Sequence, residues 1–524
     1  MNQMNNISDQ TTIVAEADVA HVPDPKPLIT ASEMFPALER MILSARTEVL
    51  LAFRIFDPRT RLHAPESHQA GLETFADLLH HVAERGLTIR LLMSDFDPVF
   101  TADLHRSAWD SAARFASRLR EYDNAELICA LHDCAPAPVW HLALAGQIRA
   151  RKAQLRTWPG DRLTPLQLRA LNGDYRLRPV TLHQKFAVID ADHAIIGGID
   201  VDDRRWDTPD HDRRPEETWH DVSVEVSGPV VRDIRDHFAE CWDRARSGCG
   251  TVFSAGATPL SRDSQVSSPP TGADTRPDMS LIRTVSAHRH HPVSFGPAIE
   301  RRDHETAHLD LFAQAQKVVY IETQFLRHLP LARALAKRAT QVPELQLILV
   351  VPTEPERIIF GRDNGMDARH AQALQIRCLD ILRSAFGDRM AVVSPAQAAP
   401  APDGTPMPVA GSGIIYLHSK VTLVDDRIGI VGSANLNGRS LLWDTEASLR
   451  FERPDAVRDL RLRLAQKWLG GAPGDPAYAR TWAEAAHQAA SQPPEARYTT
   501  LLPYPEGRNR RFARYLPIMP AAMF

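Results

Sequence analysis

Apolar residues recur at helical spacing from residue 29 onward. Met34, Leu38, Met41, Ile42 and Ala45 share one face of ITASEMFPALERMILSART, which predicts a helix. VLLAFRIFD (49–57) then reads as a strand, and ETFADLLHHVAERG as a helix stopped by Gly86. LTIRLLMSDFDP is a strand ended by Pro98, DLHRSAWDSAARFASRLREY a helix, and AELICAL a short strand. Such alternation predicts a mostly parallel sheet covered by helices. Residues 251–280 break the pattern, being rich in Ser, Thr, Pro, Gly and Asp with no apolar period, and read as a linker or long loop. Beyond them the grammar restarts. ETAHLDLFAQAQ is a helix, KVVYIETQF a strand, LARALAKRAT a helix, LQLILVVP a buried strand, and DARHAQALQIRCLDILRSAFG a helix closed by Gly387. The second half repeats the first, which predicts an internal duplication.

Two segments make the duplication explicit. TLHQKFAVIDADHAIIGGID spans 181–200 and YLHSKVTLVDDRIGIVGSAN spans 416–435. With His183 set on His418, Lys185 falls on Lys420, Asp190 on Asp425, Gly197 on Gly432, Gly198 on Ser433 and Asp200 on Asn435. The apolar runs between them read as hairpin strands. His and Lys, two residues apart, share a face. Asp190 and Asp425, five residues after the Lys, fall on the opposite face, so a structural role is expected for them. One His from each half, brought to a shared cleft, supplies a nucleophile and a general acid. The two lysines and Asn435 supply cations and an amide donor for phosphoryl oxygens, with no metal required.

Composition changes this picture little. The 524 residues are 44% hydrophobic and 24% charged, ordinary for a globular protein, and the net charge of −4 gives no global basic field for nucleic acid. Of the 61 basic residues only seven are lysines, two of them in the duplicated motif, which makes Lys185 and Lys420 stand out. Arg, Ala and Pro richness suggests a bacterial source. Five cysteines with no CxxC pair read as unbridged thiols, with Cys129–Cys134 or Cys241–Cys249 the conceivable bridges. The polar N-terminal stretch has no basic region followed by an apolar one, so no Sec signal peptide is expected, and no apolar run is long enough for a transmembrane helix. Localisation is expected to be cytoplasmic, or reached by an export route that needs no such signal, as for a secreted effector.

The doubled HxKxxxxD pattern with its trailing Gly and Asp/Asn resembles the phospholipase D superfamily. VYIETQF is similar to the strand that opens that family's second half, and GSANLNGRSLLWDTEASL to the stretch after its second motif. The likeness covers about 30–250 and 285–470. It implies an α/β fold of two α-β-α sandwich halves with mixed, mostly parallel sheets, related by a pseudo-twofold. The division expected is an N-terminal arm (1–28), a first half (29–250), a linker (251–284), a second half (285–470) and a C-terminal extension (471–524). The resemblance implies His183 as nucleophile and His418 as general acid/base, with Lys185, Lys420 and Asn435 holding phosphate. Asp200 stands where Asn often stands and cannot donate as a carboxylate. Gly197, Gly198, Gly432 and Ser433 are structural motif members. Glu446 is expected to orient His418, and Asp221 to orient His183. The function implied is hydrolysis of the distal phosphodiester of a glycerophospholipid at a membrane surface or micelle, through a phosphohistidine and without a cofactor, with transfer to an alcohol as a variant. The rivals are a cardiolipin synthase-type phosphatidyltransferase, which the missing membrane helices weaken, a nuclease-like phosphodiesterase, which the near-neutral charge disfavours, and a non-catalytic lipid-binding scaffold, which the intact motifs disfavour.

Weaker signals remain two-sided. Asp202–Trp219 either walls the cleft or is a solvated loop. Ile358, Ile359 and Phe360 either meet acyl chains or belong to the core. The Arg-rich tail from Arg508 either contacts anionic lipid or packs on the body. HRHHP at 288–292 is expected at the surface or cleft rim.

Overall fold

The computed structural model describes residues 23–261, 278–291 and 293–524; most of the expected N-terminal arm and the middle of the expected linker lie outside them. The first sheet contains β1 (Lys26–Ile29), β2 (Glu48–Phe53), β3 (Thr88–Ser94), β4 (Ala125–Ala130), β5 (Phe186–Ile189), β6 (His193–Gly197), β7 (Val222–Ser227) and β8 (Gly250–Val252). The second contains β9 (Met279–Ala287), β10 (Ala298–Arg302), β11 (Val318–Thr323), β12 (Gln346–Val350), β13 (Met390–Pro400), β14 (Ser412–Ile414), β15 (Lys420–Val424), β16 (Ile428–Gly432), β17 (Glu446–Phe451) and β18 (Leu501–Pro503).

The duplication is visible in strand order. The run β1-β7-β6-β5-β2-β3-β4 of the first sheet corresponds strand for strand to β9-β17-β16-β15-β11-β12-β13 of the second. The sheets are mixed, but not mostly parallel. In each, only the β2–β3–β4 or β11–β12–β13 core is parallel, and the other described pairings are antiparallel. The cause is the duplicated hairpin, which returns directly on itself and brings β7 or β17 with it. Its turns put consecutive residues at positive φ, Asp190 (54°) and Ala191 (56°) in one half and Asp425 (57°) and Asp426 (52°) in the other. Each is a tight turn with both central residues left-handed, closed by the Asp192 N–H on the Ile189 carbonyl (3.0 Å) or the Arg427 N–H on that of Val424 (3.0 Å), and Asp tolerates the conformation.

Three boundaries move. β1 begins at Lys26, inside the expected arm, and pairs with β7. β9 (279–287) begins inside the expected linker and pairs over residues 279–284 with β17. The extension beyond 470 contributes β18 and buries Trp482 and Leu501 in the main core.

One apolar cluster runs through both halves, joining Leu50, Phe186 and Trp242 to Tyr320, Leu423 and Trp468. Helices Val230–Ser247 and Pro454–Leu469 contribute to it, while Ala31–Ser44, Phe75–Glu84 and Ala102–Leu119 cover the first sheet's outer face. Asp303–Gln314, Leu329–Gln341 and Met366–Phe386 do the same for the second. A shared core fixes the halves against each other, which a site assembled from both requires. No described helix is long and apolar enough to cross a membrane. All five cysteines are free thiols.

Candidate active site

Both motif histidines sit just before their hairpins, in extended segments that cross to the opposite half. Leu182 bridges Thr445 in parallel, with His183 N–H donating to the Thr445 carbonyl (2.8 Å) and Thr445 N–H to that of Thr181 (3.0 Å). The mate of this bridge joins His220 to Leu417, with His220 N–H donating to the Tyr416 carbonyl (2.9 Å) and His418 N–H to that of His220 (2.8 Å). Each bridge is followed by one His and one carboxylate, now side by side. His183 Nδ1 lies 3.0 Å from Glu446 Oε2, and His418 Nδ1 2.6 Å from Asp221 Oδ2. The expected pairing is therefore crossed: Glu446 holds His183, and Asp221 holds His418. The reason is that β7 and β17 each present their first residues to the opposite half through these bridges. A carboxylate on Nδ1 fixes the tautomer and leaves Nε2 to react.

The lysines lie beneath the imidazoles. Lys185 Nζ donates to the His183 carbonyl (2.5 Å) and sits 3.8 Å from Asp200. Lys420 Nζ donates to the His418 carbonyl, and lies 2.7 Å from His418 Nδ1 and 3.8 Å from Asp221. Asp200 also accepts the Ile55 N–H (2.9 Å), so its place is beside Lys185 rather than as a donor. The His183 and His418 side chains are 14% and 9% exposed, against 1% and 2% for the lysines. A ligand therefore meets the imidazoles first.

Burial decides the protonation states. Burial, then the cations Lys185 and Arg54, holds His183 well below the usual imidazole range. Burial, then Lys420 and Arg205, does the same to His418, with His183 contributing, so the two rings sense each other. Burial pushes Lys420 down to about 7 against the attraction of Asp221. It pushes Asp221 up to about 7 and Glu446 up to about 8, against Lys420 and Lys185 respectively. The unliganded site thus sheds charge because water is excluded from it.

The small motif residues make room for the carboxylates. A Cβ on Gly198 would lie 2.1 Å from Asp221 Oδ1. Its counterpart Ser433 instead donates its hydroxyl to Glu446 (2.5 Å). A Cβ on Gly197 would meet Ser223 and one on Gly432 would meet Ser448, so close strand pairing requires both glycines. Asn435 donates Nδ2 to Gln324 Oε1 (3.3 Å), Gln324 donates to the Tyr416 hydroxyl (2.7 Å), and that oxygen accepts the Glu356 N–H (2.9 Å). Asp190 and Asp425 lie away from this cluster, at the hairpin turns. Asp190 accepts the N–H groups of Arg46, Thr47 and Glu48; Asp425 accepts those of Gln316, Lys317 and Val318.

Several residues that the sequence reading passed over complete the site. Glu322, fully buried at the end of β11, accepts from His220 Nε2 (3.1 Å), the Ser419 and Tyr320 hydroxyls (both 2.6 Å) and Trp468 Nε1 (2.6 Å). It clamps the neighbours of Asp221 and His418. Asp444 does so for the other bridge, accepting the Thr181 N–H (2.9 Å) and Arg439 (2.9 Å). Arg54 follows the carboxyl end of β2, the place where ligands meet such sheets. The VYIETQF strand contained both Glu322 and Gln324, and its resemblance was the available signal.

The two-sided segments resolve inward. Arg205 of the 202–219 insertion stacks 3.8 Å over Trp219, which packs against His418, so the insertion walls the site. Ile358 and Ile359 are buried, Ile359 with Trp219 and Tyr416. The tail packs on the body: Arg508 pairs with Glu354, and a main-chain oxygen of Phe524 accepts the Gly438 N–H (2.7 Å).

A family model described as cardiolipin synthase, PLD-like domain, matches residues 309–468. Phospholipase D A of Dictyostelium discoideum is 25% identical over 352 residues, covering 54% of this chain and 25% of that protein. Phospholipase D beta 1 of Arabidopsis thaliana is 23% identical over 376 residues, covering 52% of this chain and 35% of that one. The chain thus spans well under half the length of these relatives. Among solved structures, phosphatidylserine synthase of Haemophilus influenzae Rd KW20 aligns with a TM-score of 0.47 at 14% identity, over 84% of this chain and 85% of that one. The second-half match, the curated relatives and the same motif in both halves place this chain in the phospholipase D superfamily.

Proposed function

We propose that the protein is a phospholipase D-type phosphodiesterase that cleaves the distal phosphodiester of glycerophospholipids. The observation that supports this most is the pair of imidazoles, each held at Nδ1 by a carboxylate and each backed by a buried lysine. His183, neutral because burial and Lys185 disfavour its charged form, attacks phosphorus through Nε2. His418 donates its Nε2 proton to the leaving headgroup oxygen as the P–O bond breaks. The phosphodiester itself prepares this acid. Burial and then Lys420 and Arg205 hold His418 neutral in the empty site, and the ester's negative charge offsets the two cations. Water then gives its proton to His418, attacks phosphorus and breaks the P–N bond, releasing phosphatidate. An alcohol in place of water gives transfer by the same steps. Lys185, Lys420 and Asn435 hold the phosphoryl oxygens throughout, and Asp200 keeps Lys185 in place.

The test is a substrate panel in EDTA with wild type, His183→Ala and His418→Ala. Wild type should release choline or ethanolamine from phospholipid, and each substitution should lower that rate by at least about 10³-fold. An acid-labile, base-stable phosphoenzyme should map to His183. Cleavage of DNA without cleavage of phospholipid would overturn the reading.

A further inference from the structure

The surface beside the site carries a feature the chemistry above does not use. Between Cys134 and Gly160 the chain has Arg149, Arg151, Lys152 and Arg156 and no acidic residue, in a protein whose net charge is −4. Its first helix, Pro138–Ala143, points Val139 and Leu142 outward, 45% and 78% exposed. Val293, 61% exposed, belongs to the loop after β9 and joins them, because Trp140 Nε1 donates to its carbonyl (2.9 Å). Ala137 N–H ties the same loop through Ser294 (2.8 Å). Adjoining this helix is a cavity of about 480 Å³ lined by Arg176, Arg289 and the imidazoles of His141, His288, His290 and His291, with no carboxylate among its described lining residues.

The patch is on the side where the site opens. Thr284 of β9 pairs with Glu446, and Ser286 donates to the Trp443 carbonyl (2.5 Å), so the loop leaves the sheet just beyond the carboxylate that holds His183. In the first half, the segment follows the carboxyl end of β4, which is parallel to β2 and β3.

We propose that this face docks the protein on an anionic phospholipid bilayer, with Val139, Leu142 and Val293 entering the interface and Arg176 and Arg289 meeting lipid phosphates. An apolar tip beside a cavity lined by Arg176 and Arg289, with Trp140 joining its two segments, matches a surface that is anionic above and apolar below. The phospholipid reading favours a bilayer over an acidic protein as the anion that meets this cavity, and a nucleic acid would leave the apolar tip unexplained. The choice of a bilayer rests on the phospholipid reading, but binding to it is measured without turnover.

The experiment is sedimentation of the full chain with phosphatidylcholine vesicles, with and without phosphatidylglycerol, in the His183→Ala background so that lipid composition stays constant. The protein should bind the anionic vesicles, and less tightly as salt rises. Arg176→Ala with Arg289→Ala should weaken that binding about tenfold or more and flatten the salt dependence. Leu142→Glu with Val293→Glu should weaken it by more than about tenfold, whereas Leu462→Glu, at an exposed apolar position elsewhere, should not. All are exposed positions, and circular dichroism checks that the fold is kept. Unchanged binding in the Leu142/Val293 variant would overturn the proposal, as would capture of a duplex oligonucleotide by the same arginines with no vesicle binding. Vesicle binding through this face by an enzyme that releases no headgroup would leave the docking surface standing and sink the functional reading instead.

Discussion

Lys420 carries the sharpest residue-scale consequence of burying charge. A lysine in water keeps its proton far above neutrality, but here burial brings Lys420 down to about 7 while raising its neighbour Asp221 to about 7. The two groups are 3.8 Å apart, so the proton belongs to the pair. The sign follows directly. As pH rises through about 7 the free enzyme loses the charge proposed to hold phosphate, so kcat/KM should fall on the alkaline side with an apparent pKa near 7. A bound phosphodiester favours the cation, so the corresponding limb of kcat should lie at higher pH. Profiles of both constants on a short-chain soluble phosphodiester measure this, and coincident limbs would contradict it. Lys420→Arg should move the limb up beyond the measurable range, at a cost of about 10²-fold or more in kcat, because a planar guanidinium misplaces the charge in so tight a site.

At the scale of elements, the duplicated hairpin is a structural device with a chemical face and a mechanical end. The chemical face carries the lysine, and the mechanical end carries Asp190 or Asp425, each collecting three backbone N–H groups at the start of the next strand, β2 or β11. Burial opposes the charge on Asp190, but the N–H groups of Glu48 and Thr47 outweigh it and hold the carboxyl below its usual range. A depressed carboxylate stabilises the fold above its unfolded pKa and loses that effect as pH falls through its folded value. Asp190→Ala should therefore cost about 2 kcal/mol at neutral pH, allowing for partial solvent screening, with the deficit shrinking below about pH 4. The urea-denaturation midpoint measures it, and kcat should stay within about threefold. This element was legible in the sequence, because two strands with a matched turn have a period of two and a fixed offset. β9 was not. Its residues Met279–Ala287 adjoin the polar linker and alternate weakly, and they become a strand because β17 offers an unpaired edge. The mostly parallel expectation erred likewise, since helix–strand alternation reports the β2–β3–β4 core but not the strands that the hairpin adds.

At the scale of the whole molecule, the two halves exchange carboxylates. The intervals within each motif half suggested that each His keeps its own, and no interval in the sequence reports a bridge between Leu182 and Thr445 or between His220 and Leu417. The residues of the site were legible and their partnership was not, because the shared core sets the latter. On the proposed mechanism, the exchange assigns the two chemical steps to different carboxylates. Glu446 serves the imidazole proposed to attack, so Glu446→Gln should slow formation of the phosphoenzyme whatever the leaving group. Asp221 serves the imidazole proposed to protonate the leaving oxygen and later to activate water. With a p-nitrophenyl ester, whose leaving group needs no proton, Asp221→Asn should keep a full burst of p-nitrophenol and then turn over about 10²-fold more slowly than wild type, while Glu446→Gln should lose the burst. With a choline ester both variants should be slow from the first turnover. A burst kept by Glu446→Gln and lost by Asp221→Asn would mean that the histidine roles are reversed, since the crossed contacts tie each carboxylate to one imidazole.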